Sequence, residues 1–249
     1  MQQFGCLVSK LSECKKMNVD FKLPAYFLPI LLSAGLIVAS SFALVMESAP
    51  FKSNLASASE RFFNLEQGLA RSSLSVLGQR YLLNDCMEAI SGPAGMAQPT
   101  ARRMVMLNEC QSLAMDIVAD TPGFALAWYI GALASLELGQ FDKFNFQLAA
   151  AQQTAPNEQW LARLRVELAE KNLEHLTLEV RAGNDADLRL LVQSRLGVAS
   201  IASRYVAQSN FRERITAIVE TLGEEEQRRF VSFVRAAANA LIQRGINSQ

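Results

Sequence analysis

The chain has 249 residues, 24 basic and 24 acidic side chains that cancel, and 50% hydrophobic residues. Its mean hydropathy is positive, at +0.12. Zero net charge with this apolar content excludes a disordered chain, four cysteines are too few for a disulfide-rich scaffold, and the lack of a basic excess argues against a nucleic-acid partner.

The apolar residues are concentrated near the N-terminus. Residues 23–46 are 24 consecutive uncharged positions, bounded by Lys22 and Glu47. At about 1.5 Å per residue, a helix of this length spans roughly 36 Å, which is enough to cross the hydrocarbon core of a bilayer. The sequence therefore predicts a transmembrane helix in contact with lipid over residues 23–46. A short inner tail (1–22) precedes this helix and an outer domain (47–249) follows it.

Two other interpretations of this segment stay open. The residues Ser41, Phe42 and Ala43 form a small-x-small site at which a signal peptidase could cleave. The apolar run continues past that site, however, and is longer than the core of an ordinary signal peptide. A buried helix of a soluble protein is the other alternative, although so long a helix without a polar face is unusual in a domain of this size.

The flanking charges predict the orientation of the segment. Four lysines precede it, whereas two basic residues follow it within the next twenty positions: Lys10, Lys15, Lys16 and Lys22 against Lys52 and Arg61. Because the flank richer in Lys and Arg stays on the cytoplasmic side, we expect the tail inside and the outer domain outside. In a bacterium, this is a single-pass protein of the inner membrane with its bulk in the periplasm.

The outer domain has helical periodicity throughout. Apolar positions recur at intervals of three and four residues, and no window alternates with the period of a strand. The predicted fold class is all-α, with helical hairpins stacked in a solenoid. Glycines at 123, 139, 183 and 223 are expected to punctuate helices near residues 53–90, 100–119, 124–138, 142–154, 157–181, 186–208, 210–221 and 224–243.

A repeat signal lies in the middle of this domain. Pro122 and Pro156 are 34 residues apart. Within this stretch, six residues stand at characteristic spacings from one another: Trp128, Ala132, Gly139, Phe141, Ala151 and Pro156. This segment, residues 125–158, resembles a tetratricopeptide repeat. The resemblance implies protein–protein interaction, with peptides or helices held in the concave face of stacked helices.

Each signature residue has an expected physical role. Trp128 should supply a large core contact, and Ala132 should let the paired helix approach. Gly139 should form the turn, Phe141 should anchor the second helix, and Pro156 should end the unit.

The segment also departs from the family pattern. Phe144 stands where the family prefers alanine, and Gly131 stands where a larger apolar residue is usual. We expect Gly131 to make room for Phe144 by an exchange of volumes. An ordinary helical hairpin with coincident spacing is the alternative to a repeat.

The sequence contains no recognisable catalytic, cofactor or metal motif. His175 is the only histidine and is expected on a helix surface, while metal-binding, phosphate-binding and nucleophile-elbow motifs are all missing. The pair Glu47-Ser48 resembles the Glu-Ser pair of all-α envelope-lytic enzymes, but it falls at the membrane boundary rather than in a cleft. We therefore expect no metal, no cofactor and no enzyme activity.

Two cysteines of the outer domain are candidates for a disulfide. Cys86 and Cys110 follow similar tripeptides, Leu-Asn-Asp and Leu-Asn-Glu, on two predicted helices that flank the loop at 91–99. In an oxidising compartment a bridge could connect these helices. Two buried free thiols are the alternative.

Together these features predict a membrane-anchored helical-repeat scaffold or accessory subunit. Its partners would be other membrane or envelope proteins, in a complex for export, polysaccharide assembly or a membrane enzyme. Two alternatives remain: an anchored enzyme that acts on envelope glycans with one catalytic carboxylate, and a regulatory or sensor subunit that signals through its short inner tail.

Overall fold

A computed structural model of the chain describes residues 27–70 and 73–247. These residues form helices and turns and contain no strand, so the predicted all-α fold class is confirmed. The basic inner tail, with the lysines that predict the orientation, lies outside the described residues. The first four positions of the predicted transmembrane segment, 23–26, also lie outside them.

Twelve α-helices and one 3-10 turn (Leu173–His175) are found in the described residues. The helices are α1 (Phe27–Leu55), α2 (Ala58–Glu66), α3 (Val76–Ser91), α4 (Pro93–Met96), α5 (Thr100–Asp120), α6 (Ala125–Glu137), α7 (Phe141–Thr154), α8 (Gln159–Lys171), α9 (Leu178–Gln193), α10 (Gly197–Ala207), α11 (Ser209–Glu220) and α12 (Glu224–Asn247).

The chain divides into two compact units, residues 1–45 and residues 46–249. In the first unit, the described residues belong to α1, whose stretch from Phe27 to Ser53 is long and apolar enough to cross a membrane. Its large side chains are exposed, for example Leu28 at 69% and Leu44 at 70%. Helix α1 continues nine residues beyond the predicted boundary at 46, through Pro50.

The helix predicted over residues 53–90 is in fact three elements. Ser57 begins α2 with a capping box: Glu60 N donates to Ser57 Oγ at 3.3 Å, and Ser57 N donates to Glu60 Oε2 at 2.8 Å. Gly68 follows α2 with a positive φ of 62°, and the Ser75 hydroxyl accepts from Gly78 N at 3.0 Å to begin α3. Local hydrogen bonds therefore interrupt a periodicity that looks continuous.

The boundaries predicted around Gly183 are also wrong. The predicted helix over 157–181 ends early, and the Thr177 side chain caps a new helix, α9, that runs through Gly183. A Cβ at Gly183 would meet Gln152 at an ordinary 3.5 Å, so this glycine has no special steric role. The predicted helix over 186–208 is broken after α9, at Ser194.

Helices α3 to α9 form three consecutive hairpins. The pairs are α3 with α5, α6 with α7, and α8 with α9, and the single turn α4 lies between the first two partners. The first helices of the pairs pack in series, α3 on α6 and α6 on α8, while α7 packs on α9. Helices α10 and α11 then pack against α9, and α12 packs mainly on α10.

Two hydrophobic cores meet along α8. Leu161 and Leu168 belong to the core that extends from α2 to α9, whereas Ala162 and Val166 belong to the core of α8 to α12. Arg165 lies in the same stretch of α8 as these four residues, and its side chain is only 2% exposed. A single helix with two apolar faces therefore connects the two halves of the domain.

The Arg165 guanidinium ties three helices together. It forms a bidentate pair with Asp187 of α9, with Nε–Oδ2 and Nη2–Oδ1 distances of 2.7 Å. It also donates to the carbonyls of Ala151 at 3.0 Å and Ala155 at 3.2 Å, at the end of α7. Burial raises the pKa of the Asp187 carboxyl, against the opposing effect of the bonds from Arg165.

Cys86 on α3 and Cys110 on α5 are bridged in the structure, with their Cα atoms 5.7 Å apart. Both residues are fully buried in the first core. The bridge closes a loop with a sequence separation of 24, so the loss of chain entropy in the unfolded state should stabilise the domain by about 3 kcal/mol.

Replacing Arg165 by methionine should strongly destabilise the protein. The Arg165→Met variant leaves Asp187 buried without its partner, which typically costs about 3–5 kcal/mol in the free energy of unfolding. Chemical denaturation of the full chain in detergent, followed by circular dichroism, measures this loss. In the control Arg228→Met, which removes a side chain 75% exposed, the change should stay below about 0.5 kcal/mol. An Arg165→Met variant as stable as the parent would contradict the conclusion that Arg165 is needed to hold α7, α8 and α9 together.

Removing the disulfide should lower the melting temperature. For the double variant Cys86→Ala/Cys110→Ala, a loss of about 3 kcal/mol corresponds to a shift of about 6–12 °C in a domain of this size. A thiol reductant should produce a similar shift in the parent protein and none in the variant. A double variant that melts at the parent's temperature would show that the bridge does not contribute to stability.

Candidate binding groove

A groove of about 730 Å³ lies along the first helices of the three hairpins. We call it the hairpin groove. The helices α3, α6 and α8 supply most of its wall, and α4, α5, α7 and the 3-10 turn complete it. The lining includes Met87, Ile90, Met96, Arg103, Tyr129, Leu133, Leu136, Glu137, Phe141, Leu164, Glu167, Leu168, Lys171 and His175. The sequence does not reveal this groove, because its residues come from seven separate elements.

The floor of the groove is apolar. Ile90, Tyr129, Leu133 and Leu168 are each less than a tenth exposed and belong to the first core. Met96 stands higher in the wall, with 65% of its surface exposed. The groove therefore offers apolar contact area above a well-packed floor. Such an arrangement is typical of sites that bind the apolar side chains of a peptide or helix.

The charged groups in the wall occur as opposite pairs. Arg103 Nη2 lies 3.1 Å from Glu137 Oε2, and Lys171 Nζ lies 2.8 Å from Glu167 Oε1. The hydrogen bond from Lys171 lowers the pKa of Glu167, whereas burial raises the pKa of the Tyr129 hydroxyl well above its usual value. Glu167 is thus ionised and Tyr129 neutral near pH 7. The two pairs carry no net charge, so they do not favour an anionic or a cationic ligand.

His175 lines the groove from a 3-10 turn, where its side chain is partly exposed. It belongs to the 3-10 turn, and its ring stacks on Phe141 with 3.8 Å between ring centroids. Its carbonyl accepts a hydrogen bond from Asn145 Nδ2 at 2.7 Å. The turn is 3-10 rather than α-helical, because α8 ends before it at Lys171.

The repeat-signature residues hold the α6–α7 hairpin together. Ala132 and Ala151 are fully buried, and Gly139 takes the turn with a positive φ of 69°. Trp128 is only half-buried; its indole Nε1 donates to the Pro122 carbonyl at 2.8 Å. The tryptophan therefore stabilises the loop before α6 through this hydrogen bond and also packs against the first core.

The remaining signature residues lie at the ends of α7. Phe141 is the first residue of α7 and is 40% exposed, and it is the one signature residue that lines the groove. Pro156 lies in the turn between α7 and α8. Resemblance to the tetratricopeptide repeat stays a prediction that rests on these spacings.

The small size of Gly131 serves neighbours other than Phe144. A Cβ at this position would lie 2.6 Å from Met115 Cε and 3.2 Å from Gln147 Nε2. Gln147 in turn accepts a hydrogen bond from the Ser135 hydroxyl at 2.6 Å. The expected exchange of volume with Phe144 was therefore wrong: Gly131 makes room for Met115 and for a buried polar contact.

The Glu47 carboxylate is hydrogen-bonded to the segment that precedes α3. Its Oε1 accepts from Ser73 Oγ at 2.9 Å and from Ser75 N at 2.8 Å, and its Oε2 accepts from the Ser75 hydroxyl. The carboxylate therefore holds the segment before α3. It does not line the hairpin groove.

No group of three or more His, Cys, Asp and Glu side chains that could hold a metal ion is found within residues 27–70 and 73–247. The expected lack of metal, cofactor and nucleic-acid partner stays a prediction. Comparisons with protein-family models, curated proteins and solved structures gave no significant match.

Proposed function

We propose that the chain is a single-pass, membrane-anchored scaffold or accessory subunit whose hairpin groove holds a segment of another membrane or envelope protein. The observation that carries this proposal is the groove itself. Three successive hairpins contribute their first helices to one groove with an apolar floor and paired charges in its wall. Such a surface suits an apolar helix or extended peptide.

The tetratricopeptide resemblance supports the same role. In that family, peptides and helices are held in the concave face of stacked helices. Here the groove is lined by α6, which carries Trp128 and Ala132, and by the corresponding first helices of the neighbouring hairpins. A solenoid also presents a long binding surface with few specialised residues, which is consistent with a scaffold.

The membrane anchor and the outer location have separate support. The stretch from Phe27 to Ser53 is apolar and its large side chains are exposed, which favours a lipid-facing helix over a buried one. The basic residues before it favour a cytoplasmic tail. The bridge between Cys86 and Cys110 favours an oxidising compartment for the domain, such as a bacterial periplasm.

The groove gives little support to a glycan-cleaving enzyme. A general acid needs a carboxyl whose pKa is raised towards neutrality. Glu167 has a lowered pKa because Lys171 bonds to it, and Glu137 is paired with Arg103. A sensor role would depend on the inner tail, about which the described residues carry no information.

Charges placed in the groove wall should release the partner. The exposed Met96 and the half-buried Leu164, which packs against the first core, can be changed together, to Met96→Lys/Leu164→Lys, while the fully buried floor residues are kept. The full parent chain, purified from native membranes in mild detergent, should carry a stoichiometric partner protein. We expect the groove variant to capture at least about tenfold less of this partner, because each lysine must be desolvated against an apolar segment. Quantitative mass spectrometry of the captured material measures this loss.

The matched control is Leu178→Lys/Leu196→Lys, which changes two exposed leucines outside the groove lining. It should retain the partner at the parent level. Equal retention by the groove variant would exclude the groove as the binding site. Capture of the parent chain alone, without any stoichiometric partner, would contradict the scaffold function.

A further inference from the structure

Beyond the lipid-facing part of α1, exposed large apolar side chains are concentrated at the end of its apolar span (Phe27–Ser53) and in the segment that follows. Seven of them occur in the 25 described positions between 51 and 77, against eleven in the 166 positions from 78 to 243. Leu55 is 87% exposed and Leu74 is 70% exposed. We call this set the juxtamembrane patch; its members are Phe51, Leu55, Phe63, Leu69, Leu74, Val76 and Leu77.

Hydrogen bonds fix the patch around the last turns of α1. Glu47 binds Ser73 and Ser75, which flank Leu74 directly. Six residues further along α1, Ser53 Oγ donates to Asp85 Oδ2 of α3 at 2.7 Å. The segment that carries Leu74, and the helix that follows it, are thus attached to the end of α1 at two points.

Side-chain packing brings further patch residues to the same place. Phe51 packs edge-on against Tyr81 of α3, with 5.1 Å between ring centroids. Leu69 lines a cavity of about 350 Å³ together with Pro50 and Lys52 of α1. Residues distant in sequence therefore surround the last turns of α1, at the end of the apolar span.

The carboxylates described near the patch are already paired. Asp85 has Arg61 Nε at 3.3 Å in addition to the Ser53 hydroxyl, and Glu60 accepts the Ser57 backbone N–H in its capping box. Glu47 is bound to the two serines described above. Covering the patch with an apolar medium would therefore not strand an unpaired carboxylate.

We propose that the juxtamembrane patch lies in the bilayer interface, among lipid headgroups and the upper acyl chains, beside the point where α1 leaves the membrane. This proposal rests on the membrane anchor in the proposed function. The occupant follows from chain continuity: Leu55 is two residues beyond Ser53, where the apolar span ends, so it cannot be far from the bilayer surface. Exposed leucines and phenylalanines at this depth suit an interfacial surface.

Spin-label accessibility in the full chain tests the proposal. Cys6→Ser and Cys14→Ser remove the thiols outside the disulfide, and single labels are then placed by Leu74→Cys in the patch, Leu178→Cys as an exposed control, and Val38→Cys within the apolar span. The protein is reconstituted in phosphatidylcholine–phosphatidylglycerol nanodiscs. Collision rates are measured with oxygen, which partitions into lipid, and with a water-soluble nickel chelate.

We expect the labels at 74 and 38 to favour oxygen, with oxygen-to-nickel ratios several-fold higher than at 178. A water-like ratio at 74 with a lipid-like ratio at 38 would overturn the patch proposal and leave the anchor intact. Protection of 74 from both reagents would also overturn it, since protein rather than lipid would then cover the patch. A water-like ratio at 38 would overturn the anchor, and the patch proposal with it.

Discussion

The buried pair between Arg165 and Asp187 constrains how the helices of the domain over residues 46–249 pack. Each side chain is 2% exposed, so neither charge has water to replace its partner. A buried ion pair contributes little net stability relative to an apolar pair, but a broken one leaves a charge that the interior cannot solvate. The pair therefore acts mainly on geometry, by allowing one arrangement of α7, α8 and α9.

A second polar network extends this constraint towards the C-terminal helices. Glu170, on the same helix as Arg165, accepts from Asn184 Nδ2 at 2.5 Å and lies 3.2 Å from Arg214 Nε of α11. Arg214 also pairs with Asp185 of α9. Helix α8 is thus oriented by polar contacts on both sides. Because Leu164, Glu167 and Leu168 of α8 form one wall of the hairpin groove, the same contacts hold that wall in place.

The sequence was informative where local rules decide the structure. The all-α class followed from periodicity, and the turn at Gly139 followed from the preference of glycine for a positive φ. The Ser57–Glu60 capping box was also readable, as Ser-x-x-Glu, and would have divided the long helix predicted over 53–90. Gly183 was misleading because glycine is tolerated within helices when packing supplies the stability.

The site could not be predicted in the same way. Arg165 lies four residues after Leu161 and three before Leu168, so helical spacing places it on an apolar face, but the sequence there does not show which partner would allow its burial. Its burial depends on Asp187, 22 residues later, which no local pattern reveals. The groove likewise depends on how three hairpins stack. Nonlocal packing, rather than any motif, creates both features.

If α8 joins the two hydrophobic cores as described, they should unfold together. Native-state hydrogen exchange of the full chain in nanodiscs tests this most directly, by comparing the opening free energies of core amides in α6 and in α10. The structure predicts the same opening free energy for both helices. Opening of α10 at a clearly lower free energy, with α6 still protected, would contradict the claim that α8 couples the two hydrophobic cores.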